Sequence, residues 1–219
     1  MEQRYEFNRS LDTLTQEIII MGSLVEKNIT RAIDALANQS LEIMKEVIET
    51  ENTIDQMELD IEKNCISLLA TQQPMAKDLR KIGAALKIIT DLERMGDYAE
   101  NIAKVTKRIG DEELIKPLID IPHMAQLTQR MVHYALDAYV KEDKEQAYQL
   151  GENDDKVDHL HNQVFRELLV LMMENPSTIN QATQLLFVSR SLERIADHAT
   201  NIGERVIFLV SGERVKIND

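Results

Sequence analysis

Two pairs of acidic residues recur at the same spacing, Glu93 with Asp97 and Glu193 with Asp197. Residues four apart share one face of a helix, so each pair points two carboxylates the same way. At about 100° per residue, Glu93 and Asp97 fall in the sector of Leu79, Ile82 and Leu86, and Glu193 and Asp197 follow Leu186. An apolar stripe that heads for a core and then turns acidic is costly unless something meets the charge. More acids come before each pair. Glu51, Asp55, Glu58 and Glu62 run at spacings of four, three and four, and Asp154, Asp158 and His161 repeat the first three places.

In an antiparallel helix pair joined by a tight turn, facing residues have numbers of constant sum. Glu51/Asp97 and Asp55/Glu93 share the sum 148, which centres the turn at Pro74. Asp154/Asp197 and Asp158/Glu193 share 351, which centres it between Asn175 and Pro176. Four carboxylates should then meet at one height in each half of the chain. Such groups repel, and each desolvated acid costs energy. A captured cation removes the conflict, and oxygen donors suit Mg²⁺, Ca²⁺, Mn²⁺ or iron and tolerate Zn²⁺. Asn101 and Asn201, one turn beyond the acids, can add oxygen ligands or orient the others. A metal site is therefore expected on each half. Arg94 and Arg194 adjoin the acids but lie about 100° around the helix, so they are expected to face elsewhere.

Other candidates carry less. The five histidines have no paired spacing, and His161, opposite Glu58 of the first half, reads as surface or at most an extra ligand. Cys65 falls on an apolar helix face and reads as core. Met172 and Met173 read as packing. No Gly-rich phosphate loop and no nucleophile–base arrangement is visible, so no catalytic residue is assigned.

These side chains need long helices to hold them. Gly and Pro are scarce, at 7 and 4, and aromatics are 4%, a composition that favours helix over sheet. Apolar residues recur at three and four in six segments, roughly 6–37, 40–71, 75–109, 120–141, 143–173 and 177–211. Leu79, Ile82, Leu86 and Ile89 form one stripe, and Leu185, Val188, Leu192 and Ile195 another. Pro74 and Pro176 suit helix starts, with Ser40 and Ser177 as N-caps. Three stretches repeat. Ala32-Ile33-Asp34-Ala35 matches Ala135-Leu136-Asp137-Ala138, Ile54-Asp55 matches Val157-Asp158, and Glu93–Ile102 matches Glu193–Ile202. Offsets near 100 fit a duplicated small domain better than a solenoid. The expected fold is all-α: two tandem three-helix bundles, 1–112 and 113–219, packed with pseudo-twofold symmetry.

The formal charge of −13 disfavours nucleic acid and anionic membrane surfaces, and suits metal ions or a basic protein face. A single cysteine fits a reducing compartment. No apolar run could span a bilayer, and no signal peptide is apparent, so a cytoplasmic location is expected.

The doubled Glu-x-x-x-Asp at Glu93/Asp97 and Glu193/Asp197, followed by Asn101-Ile102 and Asn201-Ile202, resembles the PhoU family. The resemblance extends over essentially the whole chain, including Ile54-Asp55 and Val157-Asp158. It breaks symmetry at His161 opposite Glu58 and at Thr200 opposite Glu100. It implies a cytoplasmic accessory protein that restrains high-affinity phosphate uptake and keeps the phosphate-starvation response off. It further implies contacts with the transporter's ATPase subunit and a sensor histidine kinase, membrane association only through partners, and a homodimer. It also implies iron or zinc on Glu93, Asp97, Glu193 and Asp197, with Asp55, Asp158, Asn101 and Asn201 next. Two other readings stand beside it. A carboxylate-bridged di-metal oxidase expects Glu-x-x-His, where this chain has Gly96 and Ala196. A metal-free helical adaptor would need no ligands at all.

Overall fold

The computed structural model describes residues 2–72 and 74–217. Among them every regular element is helical: α1 (Glu2–Ala37), α2 (Leu41–Gln72), α3 (Ala76–Ile109), α4 (Asp120–Lys141), α5 (Lys144–Tyr148), α6 (Leu150–Glu174) and α7 (Ile179–Ser211), with a 3₁₀ turn at Pro176–Thr178. Three helices form the first bundle. The second repeats it with its middle helix broken once, at Gln149, into α5 and α6.

The central layer is α1, α3, α4 and α7, with α2 flanking α1 and α3, and α6 flanking α4 and α7. The α3–α7 seam is the most extensive helix pairing. Equivalent residues of the two copies touch each other across this layer. Gln129 Nε2 donates to the Glu26 carbonyl at 3.4 Å, and the Tyr98 and His198 rings lie 5.9 Å apart. Such self-pairing places a pseudo-twofold axis between the copies. One continuous cluster of buried apolar side chains runs through both.

Local chemistry sets the ends. Gln39 and Glu142 occupy the same place in the two copies and both take a left-handed backbone, with φ of 48° and 51°. Each residue costs about 1 kcal/mol or more in that conformation. Both turns close with the same hydrogen bond, Ser40 N to Ala35 O and Asp143 N to Ala138 O, each at 2.9 Å. Ser40 caps α2 through Ile43 N at 3.3 Å. Asp143 caps α5 through Glu145 N and Gln146 N, both at 3.0 Å. At the α6–α7 turn the cap is Asn175, which accepts from Ser177 N at 3.2 Å, rather than the expected Ser177. Pro176 opens the 3₁₀ turn, whereas Pro74 lies two residues before α3.

The chain packs closely on α7 at the Gln149 break. The α5–α6 junction presses on α7 at Gly203, where a Cβ would stand 2.6 Å from Leu150 Cδ1 and 3.2 Å from the Ala147 carbonyl. The stripe Leu185, Val188, Leu192 and Ile195 is core. Its counterpart is less uniform. Ile82 and Ile89 are buried, but Leu79, at the hairpin tip, is 51% exposed. Cys65 is buried as expected, while Met173 projects into solvent at 76% exposure.

Candidate functional site

The helical register brings the acids of α2 level with those of α3. Thr90 Oγ1 donates to Glu58 Oε1 at 3.1 Å, a pair whose numbers give the sum 148 expected from the sequence. In the second bundle His161 Nδ1 lies 3.1 Å from Ser189 Oγ, one residue from the expected alignment. Carboxylates therefore gather on the α2–α3 face and again on the α6–α7 face.

Glu51 sits at the centre of the first cluster. It is only 5% exposed, and neither carboxylate oxygen has a hydrogen-bond partner among the described residues. Burial, then repulsion from Asp55, Asp97, Glu100 and Glu93, pushes its carboxyl up to about 8. Its depth is made possible by Gly96. A Cβ there would lie 2.3 Å from Glu51 Oε2 and 2.8 Å from Oε1, so the carboxylate rests directly against the α3 backbone. Glu93 is raised by its own burial and by Asp97, against the lowering pull of Arg94.

Asp154 holds the matching place in the second cluster and is 3% exposed. Burial, then Asp158, Asp197, Asp155 and Glu193, pushes it up to about 7. Asp158 is raised by burial and by Asp197, with His161 pulling the other way. Burial and the nearby Arg190 lower His161, favouring a neutral ring. Glu193 is raised by burial and Asp197, while Arg194 and Arg190 lower it.

The expected site residues are thus distributed unevenly. Asp55, Glu93 and Asp97 share one field, and Asp158, Glu193 and Asp197 another. The asparagines do not join them equally. Asn101 is exposed. Asn201 turns to the other bundle, donating to Asp91 Oδ1 at 3.3 Å, beside His198 Nδ1 at 2.8 Å from the same oxygen. The arginines also differ from expectation. Arg94 reaches back to Asp97 at 3.1 Å and Glu93 at 3.4 Å. Arg194 does the same, with Asp197 at 2.7 Å and Glu193 at 3.6 Å. A long guanidinium stem spans the 100° that separates it from its neighbours, because i,i+3 residues lie close on a helix. Lys104 pairs with Glu100.

Glu51 and Asp154 are the most buried acids of their clusters, yet the repeated motif does not contain them. Their signal in the sequence is the position four before Asp55 and Asp158, level with Asp97 and Asp197. As the side chains are posed, no three His, Cys, Asp or Glu groups among the described residues stand close enough to hold a metal ion. The donors nevertheless fit a hard or borderline cation in their chemistry. They are carboxylates, they repel one another, and Glu51 presents two buried oxygens to which no described residue donates.

Each three-helix bundle corresponds to one copy of the PhoU domain. The chain matches that domain over residues 18–106 and again over 121–206, and it belongs to the PhoU family. A protein of Clostridium acetobutylicum described as a phosphate-specific transport system accessory protein PhoU homolog is 42% identical over 214 residues, 97% of this chain and 98% of that one. Another so described, from Aquifex aeolicus, is 42% identical over 95% of this chain and 94% of its own length. The crystal structure of PhoU from Pseudomonas aeruginosa superposes with a TM-score of 0.90 at 37% identity, covering 94% of this chain and all of that one. The phosphate transport system regulatory protein PhoU from Streptococcus pneumoniae gives 0.89 at 30% identity, covering 96% of this chain and 99% of that one. No helix among the described residues is long and apolar enough to cross a membrane.

Proposed function

We propose that this protein is a non-enzymatic accessory factor of a phosphate transport system, restraining uptake and the starvation response when phosphate is plentiful. The observation that carries this reading is the near full-length likeness to relatives described as phosphate-specific transport accessory proteins. On this reading its partners are the transporter's ATPase subunit and a sensor histidine kinase. It works in the cytoplasm as a homodimer and meets the membrane only through those partners. A pull-down from cells grown with and without phosphate should recover the ATPase subunit. A clean deletion should leave phosphate-responsive genes on in rich medium. Normal repression in that strain would refute the role.

The acid clusters supply the metal reading. Glu93, Asp97 and Asp55 on one face, and Glu193, Asp197 and Asp158 on the other, would hold iron or zinc, with Mg²⁺, Mn²⁺ or Ca²⁺ as alternatives. Glu51 and Asp154 would join as inner donors. Asn101 is available as an outer ligand, and Asn201 would first have to leave Asp91. A bound cation would supply positive charge where the fold concentrates negative charge, drawing α2 to α3 and α6 to α7. Protein made without a histidine tag should carry metal by elemental analysis. The double variant D97A/D197A should carry none, and unchanged stoichiometry in it would remove this assignment.

A further inference from the structure

A cleft of about 590 Å³ lies between α3, α7 and the segment that follows α7. Its character is opposite to that of the rest of the chain. In a protein of net charge −13, four cations line this one space: Lys87 of α3, Arg205 of α7, and Arg214 and Lys216 of the returning segment. The segment is folded back by a hydrogen bond from Ile217 N to Glu204 Oε1 at 3.1 Å. Glu204 is the one carboxylate among the described lining residues.

None of the four cations forms an ion pair with a described residue. Arg205 Nε is buried with no hydrogen-bond partner among the described residues, a costly state for a guanidinium donor. Arg214 stacks over the Phe208 ring, 5.8 Å from its centroid, which sets a flat apolar wall beside the charge. The floor is Gly83. A glycine inside a helix costs about 1 kcal/mol relative to alanine, and a close neighbour usually explains it. Here a Cβ would meet nothing within 4 Å. The glycine leaves room in the cleft rather than room for the protein.

We propose that this cleft binds a small organic phosphate, with Lys87, Arg205, Arg214 and Lys216 meeting the phosphoryl oxygens and Phe208 with Arg214 facing the organic part. Clustered Lys and Arg donors suit phosphoryl groups. The volume falls within the range of small-molecule pockets, roughly 300–1,000 Å³, and exceeds what a bare tetrahedral anion fills. The lining holds none of the cluster carboxylates, so binding here needs no metal, although Glu204 and Lys216 also line a neighbouring cavity that reaches Asp197. Free phosphate shares the same recognition chemistry and is the other source to be distinguished.

The test is calorimetric titration of the full chain in chelator-containing buffer with AMP, ATP, pyrophosphate and inorganic phosphate. Saturable binding of a nucleotide is expected, with affinity falling as salt rises. R205Q should weaken it at least tenfold. G83L should abolish it by projecting a side chain into the cleft, while keeping helical circular dichroism and melting at or above the parent temperature. Because G83L relieves a helical glycine, its loss of binding cannot be ascribed to unfolding. Binding of inorganic phosphate or pyrophosphate without any nucleotide would overturn the organic ligand. No saturable binding by any of the four, or binding that survives both R205Q and G83L, would overturn the site.

Discussion

The two bundles solve the same electrostatic problem with different parts. In the first, a long acid meets a glycine, as Glu51 lies against Gly96. In the second, the equivalent pair is Asp154 and Ala196, one methylene shorter on α6 and one methyl larger on α7. The volume lost on one helix is gained on the other. A carboxylate is thus buried at the same height in both copies, as close packing demands when a core position changes size. The surroundings differ further. Glu58 of the first copy stands where the second has His161. Glu193 has both Arg190 and Arg194 nearby, whereas Glu93 has Arg94 alone. The extra guanidinium makes the second cluster the better neutralised. Duplication preserved the height of the acids and let the local charge balance diverge.

The sharpest break of this comparison is Glu51→Gln. Removing the buried, repelled charge should stabilise the metal-free protein at pH 8 by on the order of 2 kcal/mol, read by denaturant unfolding in chelator. Asp154→Asn should gain less, and an equal or larger gain would reverse the ranking of the two clusters. The pH profile follows from the direction of the shifts. Glu51 is raised from 4.5 to about 8, so between those values the folded state holds a proton that the unfolded state has released. Stability should therefore fall as pH rises from about 4.5 to 8 and level off above. E51Q should flatten that decline, and a profile that rises through the window in the parent protein would contradict the burial argument.

A smaller effect tests the packing exchange. Gly96→Ala alone should destabilise despite a helix gain of about 1 kcal/mol, because its methyl displaces the Glu51 carboxylate. In the E51D background the same change should stabilise, giving a coupling of about 1 kcal/mol or more in a double-mutant cycle. Additive effects would show that the two positions do not exchange volume. Smallest of all, Arg94→Gln and Arg194→Gln should each cost under about 1 kcal/mol, since both ion pairs are partly exposed. Arg194→Gln should cost the more, given its closer approach to Asp197.

Much of this was legible in the sequence because it is periodic. The helices follow from apolar spacing, the duplication from Glu93–Ile102 against Glu193–Ile202, and the level of the acids from two constant sums. What was not legible depends on contacts between elements. The break at Gln149 packs on Gly203 of another helix. The depth of Glu51 is set by a glycine that reads, in sequence, as a weak helix former. Asn201 is drawn to Asp91 across the pseudo-twofold seam, a contact that no spacing within one repeat could indicate. The reach of Arg94 was misjudged because an angle between Cβ directions does not limit a flexible stem. Leu79 shares the periodicity of the core but lies at a hairpin tip where no neighbour covers it.

Cys65 lies wholly inside α2, the flanking helix that carries Glu51 and Asp55. Burial pushes its thiol up to about 12, so a maleimide or disulfide reagent has almost no thiolate to attack while that helix is seated. As the lone sulfhydryl of the chain, it is a native kinetic probe. Its alkylation rate reports how often the outer rod of the first copy lifts from its neighbours, and whether added ions or partner proteins hold it down.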